Sequence, residues 1–483
     1  MTEIHDLPAH RLAELIRSRE LSPTEVTEHF LDRIEREDPH YSAYVSVASK
    51  EALQQARNAE ERVMSDAPDD LPPLHGVPVP IKDLDPVAGL PLTHGSRLHK
   101  ETIAPKDAGV VSHLRKAGAV FLGKTNTPEF GTSCYTENDL VPATRNPWDT
   151  TRTPGGSSGG AAAAVAAGLA PVAHGSDGGG SLRIPASACG VFGLKPSRGR
   201  ISQAPLSLDL IGLATAGPIT RSVSDAALML DVMAFNSPGD QFGAAPLPRG
   251  KSFTDHTRKT PGRLRVGCYA NAPGITLDPD VLVAHEATGQ LLEELGHDVE
   301  EIPTPFEAHF HGLFPEDFQV LWAAMASTIP VPEGREEELR PLNRWLRELA
   351  ASTPMPRYMA AMARLQRGVR SLMEETQYFD VLLCPTLALL PGPVGALTAE
   401  GPEAEFRLMT EFAPFTSLFN VTGQPSLSIP LHRTGAGLPI GVMLTGRPGE
   451  EGALLSLSAQ LEAARPWAHR SPLDEHGQGA FRG

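Results

Sequence analysis

Apolar and polar positions along the chain fall into short blocks whose period switches repeatedly between helical and extended. Val26, Phe30, Leu31 and Ile34 recur three and four apart behind Ser22-Pro23-Thr24-Glu25. That tetrapeptide is a capping box with proline at the first helical position, so a helix is predicted to start there. The first forty residues read as helical and are expected to pack on the outside of the main domain. Gly76-Val-Pro-Val-Pro-Ile-Lys82 reads as a short buried strand running into a loop, its prolines fitting a sheet edge or a strand end. Val110 to Lys116 predicts a helix stopped by Gly118, and Val120 to Leu122 a strand.

Further on, Ser158 to Ala167 is helical in pattern, Ala170 to His174 extended, and a Gly-rich turn leads to a helix that starts near Ser181. Leu264 to Cys268, Asp280 to Leu295 and Asp298 to Ile302 have the spacing of a β-α-β unit, so parallel strands are expected. Residues 305–375 break this rhythm. Phe306, Phe310, Phe314, Phe318, Trp322 and Trp345 recur at helical spacing beside charged runs such as Arg335 to Arg340, which predicts a helical insertion or lid. Strand-like runs return at Val381 to Thr386 and Leu438 to Leu444, followed by a helix from Gly452 to Ala463. No internal repeat or long linker interrupts this α/β pattern.

Composition narrows the classes. A chain of 483 residues with 41% hydrophobic and 21% charged positions buries a large core, which excludes a mini-protein and wholesale disorder. The net charge of −16 repels phosphate backbones, so nucleic acid is not an expected ligand. Four scattered cysteines, Cys134, Cys189, Cys268 and Cys384, without CxxC pairing, fit a reducing cytoplasm. The N-terminus has no basic and apolar signal segment, and the Ala161 to Ala173 run is too short and too interrupted to span a membrane. A cytoplasmic protein with no membrane partner is expected.

Two Gly/Ser clusters carry candidate chemistry: Pro154-Gly-Gly-Ser157-Ser158-Gly-Gly160, and Gly175-Ser-Asp177-Gly178-Gly179-Gly180-Ser181-Leu-Arg183. Either is equally a flexible loop when read alone. Neither fits a phosphate-binding loop or a dinucleotide fingerprint. Gly155 to Gly159 matches the G-x-S-x-G nucleophile elbow, but the polar, Pro-punctuated stretch before it is no strand, and an elbow needs one. Ser181 has the better setting, with a strand before it, clustered amides around it and a helix after it. The backbone N–H groups of Gly178, Gly179, Gly180 and Ser181 form a candidate oxyanion hole. His174 sits seven residues upstream on the presumed strand, a poor place for a base to Ser181. Lys82 ends an apolar strand, where desolvation lowers a lysine pKa, although a lone lysine at a strand end is more often a solvated charge.

Taken together, Pro154-Gly-Gly-Ser-Ser-Gly-Gly-Ala-Ala-Ala-Ala164, Asp177-Gly-Gly-Gly-Ser-Leu-Arg-Ile-Pro-Ala-Ser187 and Val79-Pro-Ile-Lys-Asp83 resemble the amidase signature family. Gly123 to Phe130, Gly193 to Gly199, Asp380 to Thr386 and Asn420 to Ser426 also resemble family segments, leaving only about 240–375 without a match. The resemblance implies a central mixed, twisted β-sheet covered by helices on both faces. It implies amide hydrolysis without metal or other cofactor, with Ser181 as the acylated nucleophile, Ser157 as a bridging serine on a cis peptide bond, and Lys82 as the base. Ser158, Asp177 and Arg183 match positions that orient this triad. Cys134 and Tyr135 match positions that commonly face substrate, against the ordinary reading of both as packing. Gly178 stands where the family more often has Thr or Ile, and is expected either to loosen the oxyanion loop or to leave room for a bulkier acyl group.

The stretch Pro171 to Ser202 is similar to the branch that holds 6-aminohexanoate cyclic-dimer hydrolase, and aryl acylamidases and urethane-cleaving amidases also resemble it. The resemblance therefore implies a hydrolase of non-peptide aryl, aliphatic or cyclic amides, with esters and carbamates as further candidates. The alternative is the glutamine-hydrolysing subunit of a tRNA-dependent amidotransferase. A non-enzymatic scaffold would require a broken triad, and all three residues are present. The expected organisation is an N-terminal helical segment, 1–70, packed on a catalytic domain, 71–483, in which 305–375 covers the substrate. The expected partner is a small-molecule amide, and a homodimer is compatible with the sequence.

Overall fold

Short extended blocks separated by helices, as the hydrophobic pattern has them, assemble into one mixed sheet. A computed structural model describes residues 3–205, 211–467 and 472. Its strands are β1 (Tyr44–Val47), β2 (Ile81–Lys82), β3 (Gly123–Thr125), β4 (Val172–Asp177), β5 (Phe192–Lys195), β6 (Thr215–Thr220), β7 (Arg265–Cys268), β8 (Asp298–Glu301), β9 (Val381–Pro385), β10 (Ser426–Arg433) and β11 (Pro439–Gly446). They lie in the order β1-β3-β2-β4-β6-β5-β10-β11-β9-β7-β8. The middle, from β4 to β9, is antiparallel. On one side of it β2 runs parallel to both β3 and β4, and on the other β7 runs parallel to both β8 and β9. The anticipated β-α-β unit is β7, the helix Pro279–Glu294 and β8.

The helix Pro23–Tyr41 buries Val26, Phe30 and Ile34, and Ser22 Oγ accepts from Glu25 N at 3.0 Å, the serine half of a capping box. The N-terminal stretch is not purely helical, because β1 within it pairs with β3 at one edge of the sheet. The strand expected at Val120 to Leu122 instead starts at Gly123. Val120 makes only an isolated bridge to Pro78, and the ladder begins where β1 and β2 both flank Lys124. The prolines of the Gly76–Lys82 run precede β2, which lies between β3 and β4, so they mark a strand end and not an edge.

The helix Gly159–Ala166 is buried at every position, as befits a helix apolar all round. It starts directly after Ser157 and Ser158. Four helices, Pro305–Phe310, Phe314–Ser327, Pro341–Ser352 and Met355–Thr376, occupy the stretch expected to be a helical insertion. Buried Asp317 ties two of them together, accepting from Arg357 Nη1 at 2.8 Å and Arg364 Nε at 2.7 Å. Buried Glu129 ties the insertion to the sheet side, accepting from Ser96 Oγ at 2.7 Å, Arg340 N at 2.8 Å and Asn343 Nδ2 at 2.8 Å. Among the described residues, no helix is long and apolar enough to cross a membrane, and the four cysteines are free.

Candidate active site

Parallel pairing of β2 with β4, in register at Ile81 and His174, sets the end of one strand beside the other. Lys82, the last residue of β2, is fully buried and donates from Nζ to Ser157 Oγ at 2.8 Å and to Ser176 O at 3.3 Å. Burial lowers the lysine to about 7, against a smaller upward pull from Asp85 and then Asp177. A neutral amine is therefore well populated near neutrality.

The Gly156–Ser157 peptide is cis. A Cβ on Gly156 would lie 2.3 Å from the carbonyl oxygen of Tyr135, so glycine alone fits that close approach. Ser158 Oγ shares Ser176 O with Lys82, donating at 3.1 Å, while its own N–H donates to Ser181 O at 3.2 Å. Lys82, Ser157, Ser158 and Ser181 are thus brought together around the end of β4.

Asp177 ends β4 and closes the glycine turn. Its carboxylate accepts from Gly180 N at 2.7 Å and Leu182 N at 3.1 Å, from Arg183 Nη2 at 2.9 Å and Nε at 3.0 Å, and from Asn420 Nδ2 at 2.9 Å. Burial works to raise this carboxyl; the guanidinium beside it, then Lys195 and the amide of Asn420, outweigh burial and hold it below the usual carboxylate range. Arg183 also donates to Thr416 O at 2.8 Å and Asn420 Oδ1 at 2.7 Å, and Thr416 Oγ1 donates to Gly179 O at 2.7 Å. Asn420 and Thr416 are positioning residues that residue-type arguments missed. The only signal for Asn420 was its place in the Asn420 to Ser426 segment.

Two expectations change at this point. The Gly180 amide is already spent on Asp177, so it is not an oxyanion donor; among the described residues the amides of Gly178, Gly179 and Ser181 make no hydrogen bond. Tyr135 does not line the cavity at Ser181. Its hydroxyl donates to Glu405 Oε1, whose carboxyl burial has pushed upward, whereas Cys134 does line the cavity. Tyr135 is turned away because its phenol finds a buried acceptor on the neighbouring helix Pro402–Phe412.

That cavity measures about 140 Å³ and is walled by Phe306, Phe314, Phe318, Trp322, Ile184 and Met409 among others, with Ser181 among its lining residues. None of its lining residues is Asp, Glu, Lys, Arg or His. The Ser181 side chain makes no hydrogen bond to a described residue. His174 is wholly buried, with neither ring nitrogen hydrogen-bonded and Nε2 3.7 Å from Asp85 Oδ2. No group of three His, Cys, Asp or Glu among the described residues is placed to hold a metal ion.

A family model described as amidase matches residues 25–455. The putative amidase AmiB2 of Mycobacterium tuberculosis is 41% identical over 463 residues, 95% of this chain and 96% of that one. The 6-aminohexanoate-cyclic-dimer hydrolase of Paenarthrobacter ureafaciens is 38% identical over 487 residues, covering 95% of each chain. A solved structure of 6-aminohexanoate cyclic dimer hydrolase with substrate superposes with a TM-score of 0.88 at 34% identity, covering 97% of this chain and 99% of that one.

Proposed function

The chain belongs to the amidase signature family of amide hydrolases, and from that premise we propose that it hydrolyses small non-peptide amides through an acyl-enzyme on Ser181, with Ser157 as proton bridge and Lys82 as base. The contact that carries this reading is Lys82 Nζ to Ser157 Oγ at 2.8 Å, made by a wholly buried lysine held near 7. Neutral Lys82 accepts the Ser157 proton while the Ser157 oxygen takes the proton of Ser181. Ser181 Oγ then bonds to the amide carbon, and the carbonyl oxygen meets the unspent amides of Gly178, Gly179 and Ser181. Reversed proton flow protonates the leaving amine, and water cleaves the ester by the same relay. Ser158, Asp177 and Arg183 hold the two serine loops.

Substrates of this reading are uncharged amides of aryl, aliphatic or cyclic type, such as a 6-aminohexanoate cyclic dimer; carbamates and esters are secondary candidates. The cavity offers no charged side chain to meet the ammonium and carboxylate of glutamine, which disfavours the amidotransferase-subunit reading. The insertion 305–375 supplies one wall of the cavity, consistent with a substrate-covering part of a body that spans 71–483, the N-terminal 1–70 packing against it.

The test is turnover by the purified protein of a nitroanilide, an aliphatic amide, a cyclic amide, a urethane and glutamine. Hydrolysis of the neutral amides without an added subunit supports the proposal; hydrolysis of glutamine alone overturns it. The pH profile checks the lysine. A protonated Lys82 cannot accept a proton, so kcat/KM is expected to rise about tenfold per pH unit on the acid side and to level off above about 7. Lys82→Ala is expected to lose about 100- to 10,000-fold in kcat/KM and to lack that limb.

A further inference from the structure

Five aromatic residues, Phe306, Phe310, Phe314, Phe318 and Trp322, follow one another at intervals of four. On the helix Phe314–Ser327 the last three stack along one face, Phe314 on Phe318 with centroids 5.9 Å apart and 12° between planes, and Phe318 on Trp322 at 5.5 Å and 24°. This ladder ends at the glycine turn. A Cβ on Gly178 would meet the benzo edge of Trp322 at 3.3 and 3.4 Å, and one on Gly179 would meet Phe318 at 3.4 Å and Trp322 at 3.7 Å. The space beside Gly178 is therefore taken by the indole; it is not left open for a bulkier acyl group. The Trp322 Nε1–H is spent on Thr132 O at 3.0 Å, which fixes the ring's direction and leaves its apolar surface to the cavity that it shares with Ser181.

Resting on the proposed acyl-enzyme at Ser181, the geometry points to Trp322, seated by Gly178, as the specificity-determining residue for the acyl group: its ring is a flat wall beside the reacting carbonyl that favours planar, apolar acyl groups. An acyl group esterified to Ser181 lies in the cavity that the ladder walls. With its carbonyl oxygen at the glycine amides, the acyl carbon sits beside the rings that a Cβ on Gly178 or Gly179 would meet. Trp322 is the ring common to both, although Phe318 is the nearer to Gly179. A flat substituent gains offset stacking there, whereas a puckered ring of equal size gains only area.

Two anilides with the same leaving group test this: N-(4-nitrophenyl)benzamide, with a planar acyl ring, and N-(4-nitrophenyl)cyclohexanecarboxamide, with a puckered one. The quantity read is the ratio of their kcat/KM values, compared between proteins so that intrinsic reactivity cancels. Trp322→Leu is expected to lower the ratio about 3- to 10-fold. Trp322→Phe, which keeps a flat ring and loses the Nε1 hydrogen bond, is expected to keep most of it. Gly178→Thr, which presses on the indole, is expected to shift the ratio in the direction of Leu. An unchanged ratio in Trp322→Leu, a fall in Trp322→Phe as large as in Leu, or an unchanged ratio in Gly178→Thr overturns the inference. Turnover of neither anilide or of any other amide by the wild type overturns the amidase proposal itself, a distinct result.

Discussion

Ser181→Ala is expected to lower kcat by about 10,000- to 1,000,000-fold while leaving the fold and its melting unchanged. The change removes one hydroxyl, on a residue that lines the cavity, that makes no hydrogen bond to a described residue, so no polar partner is lost with it. On the proposed mechanism the loss in rate is large because without that oxygen no acyl-enzyme forms, and water must attack an amide held only by the proposed oxyanion amides and the apolar wall. Labelling separates the chemistry from the binding. A fluorophosphonate is expected to modify Ser181 in the wild type and nothing in Ser181→Ala, and modification elsewhere in the mutant would point to another nucleophile. Ser157→Ala makes the companion case. It keeps the Ser181 oxygen but cuts the 2.8 Å link from Lys82 Nζ, so a slow residual labelling at Ser181 is expected with loss of its pH dependence near 7.

What the sequence showed, and what it hid, divides along physical lines. Ser181, Ser157 and Lys82 stood out as candidates chiefly because their segments resemble a family; read alone, the glycine clusters pass for loops and the lysine for a solvated charge. The sheet was harder to read. β6 contains Gly217 and Pro218, and β10 contains Pro430, residues that break an extended pattern. Tertiary pairing overrides them: Pro218 sits opposite His174 in the β4 ladder, and Pro430 falls where the β10–β11 register shifts between Ile429 and His432. The oxyanion loop was half legible. Four adjacent amides read alike in sequence, but only the fold puts Asp177 under Gly180 and so removes that N–H from the set. Tyr135 failed for a similar reason, since nothing local announces a carboxyl 270 residues further on. The aromatic spacing at 306–322 was visible, yet that it meets Gly178 depends on how the insertion is tied down through Glu129, Asn343 and Thr132.

Arg183→Met is expected to cost about 3–5 kcal/mol of stability at pH 7, the largest structural effect of a single change near the site. Both partners of the Arg183–Asp177 pair are fully buried, so removing the guanidinium strands a carboxylate in the interior. Lys195 does not replace it, since its Nζ donates to Pro196 O at 2.9 Å. The pH dependence comes from the sign of the Asp177 shift. Its folded pKa is depressed below the unfolded value of about 3.9, so its stabilisation is present above that value and is lost as pH falls below it. In Arg183→Met the shift reverses, because burial then acts with its main opponent gone. The stranded carboxyl takes up a proton at higher pH than in the unfolded chain, which relieves part of the penalty. Urea midpoints of wild type and mutant are therefore expected to lie far apart at pH 7 and to converge as pH falls toward 4; a gap that stays constant over that range would show that the loss comes from packing around the Arg183 side chain and not from its charge. Activity is expected to fall with stability, because the same carboxylate fixes Gly180 and Leu182 on either side of Ser181 and so sets the direction of the hydroxyl.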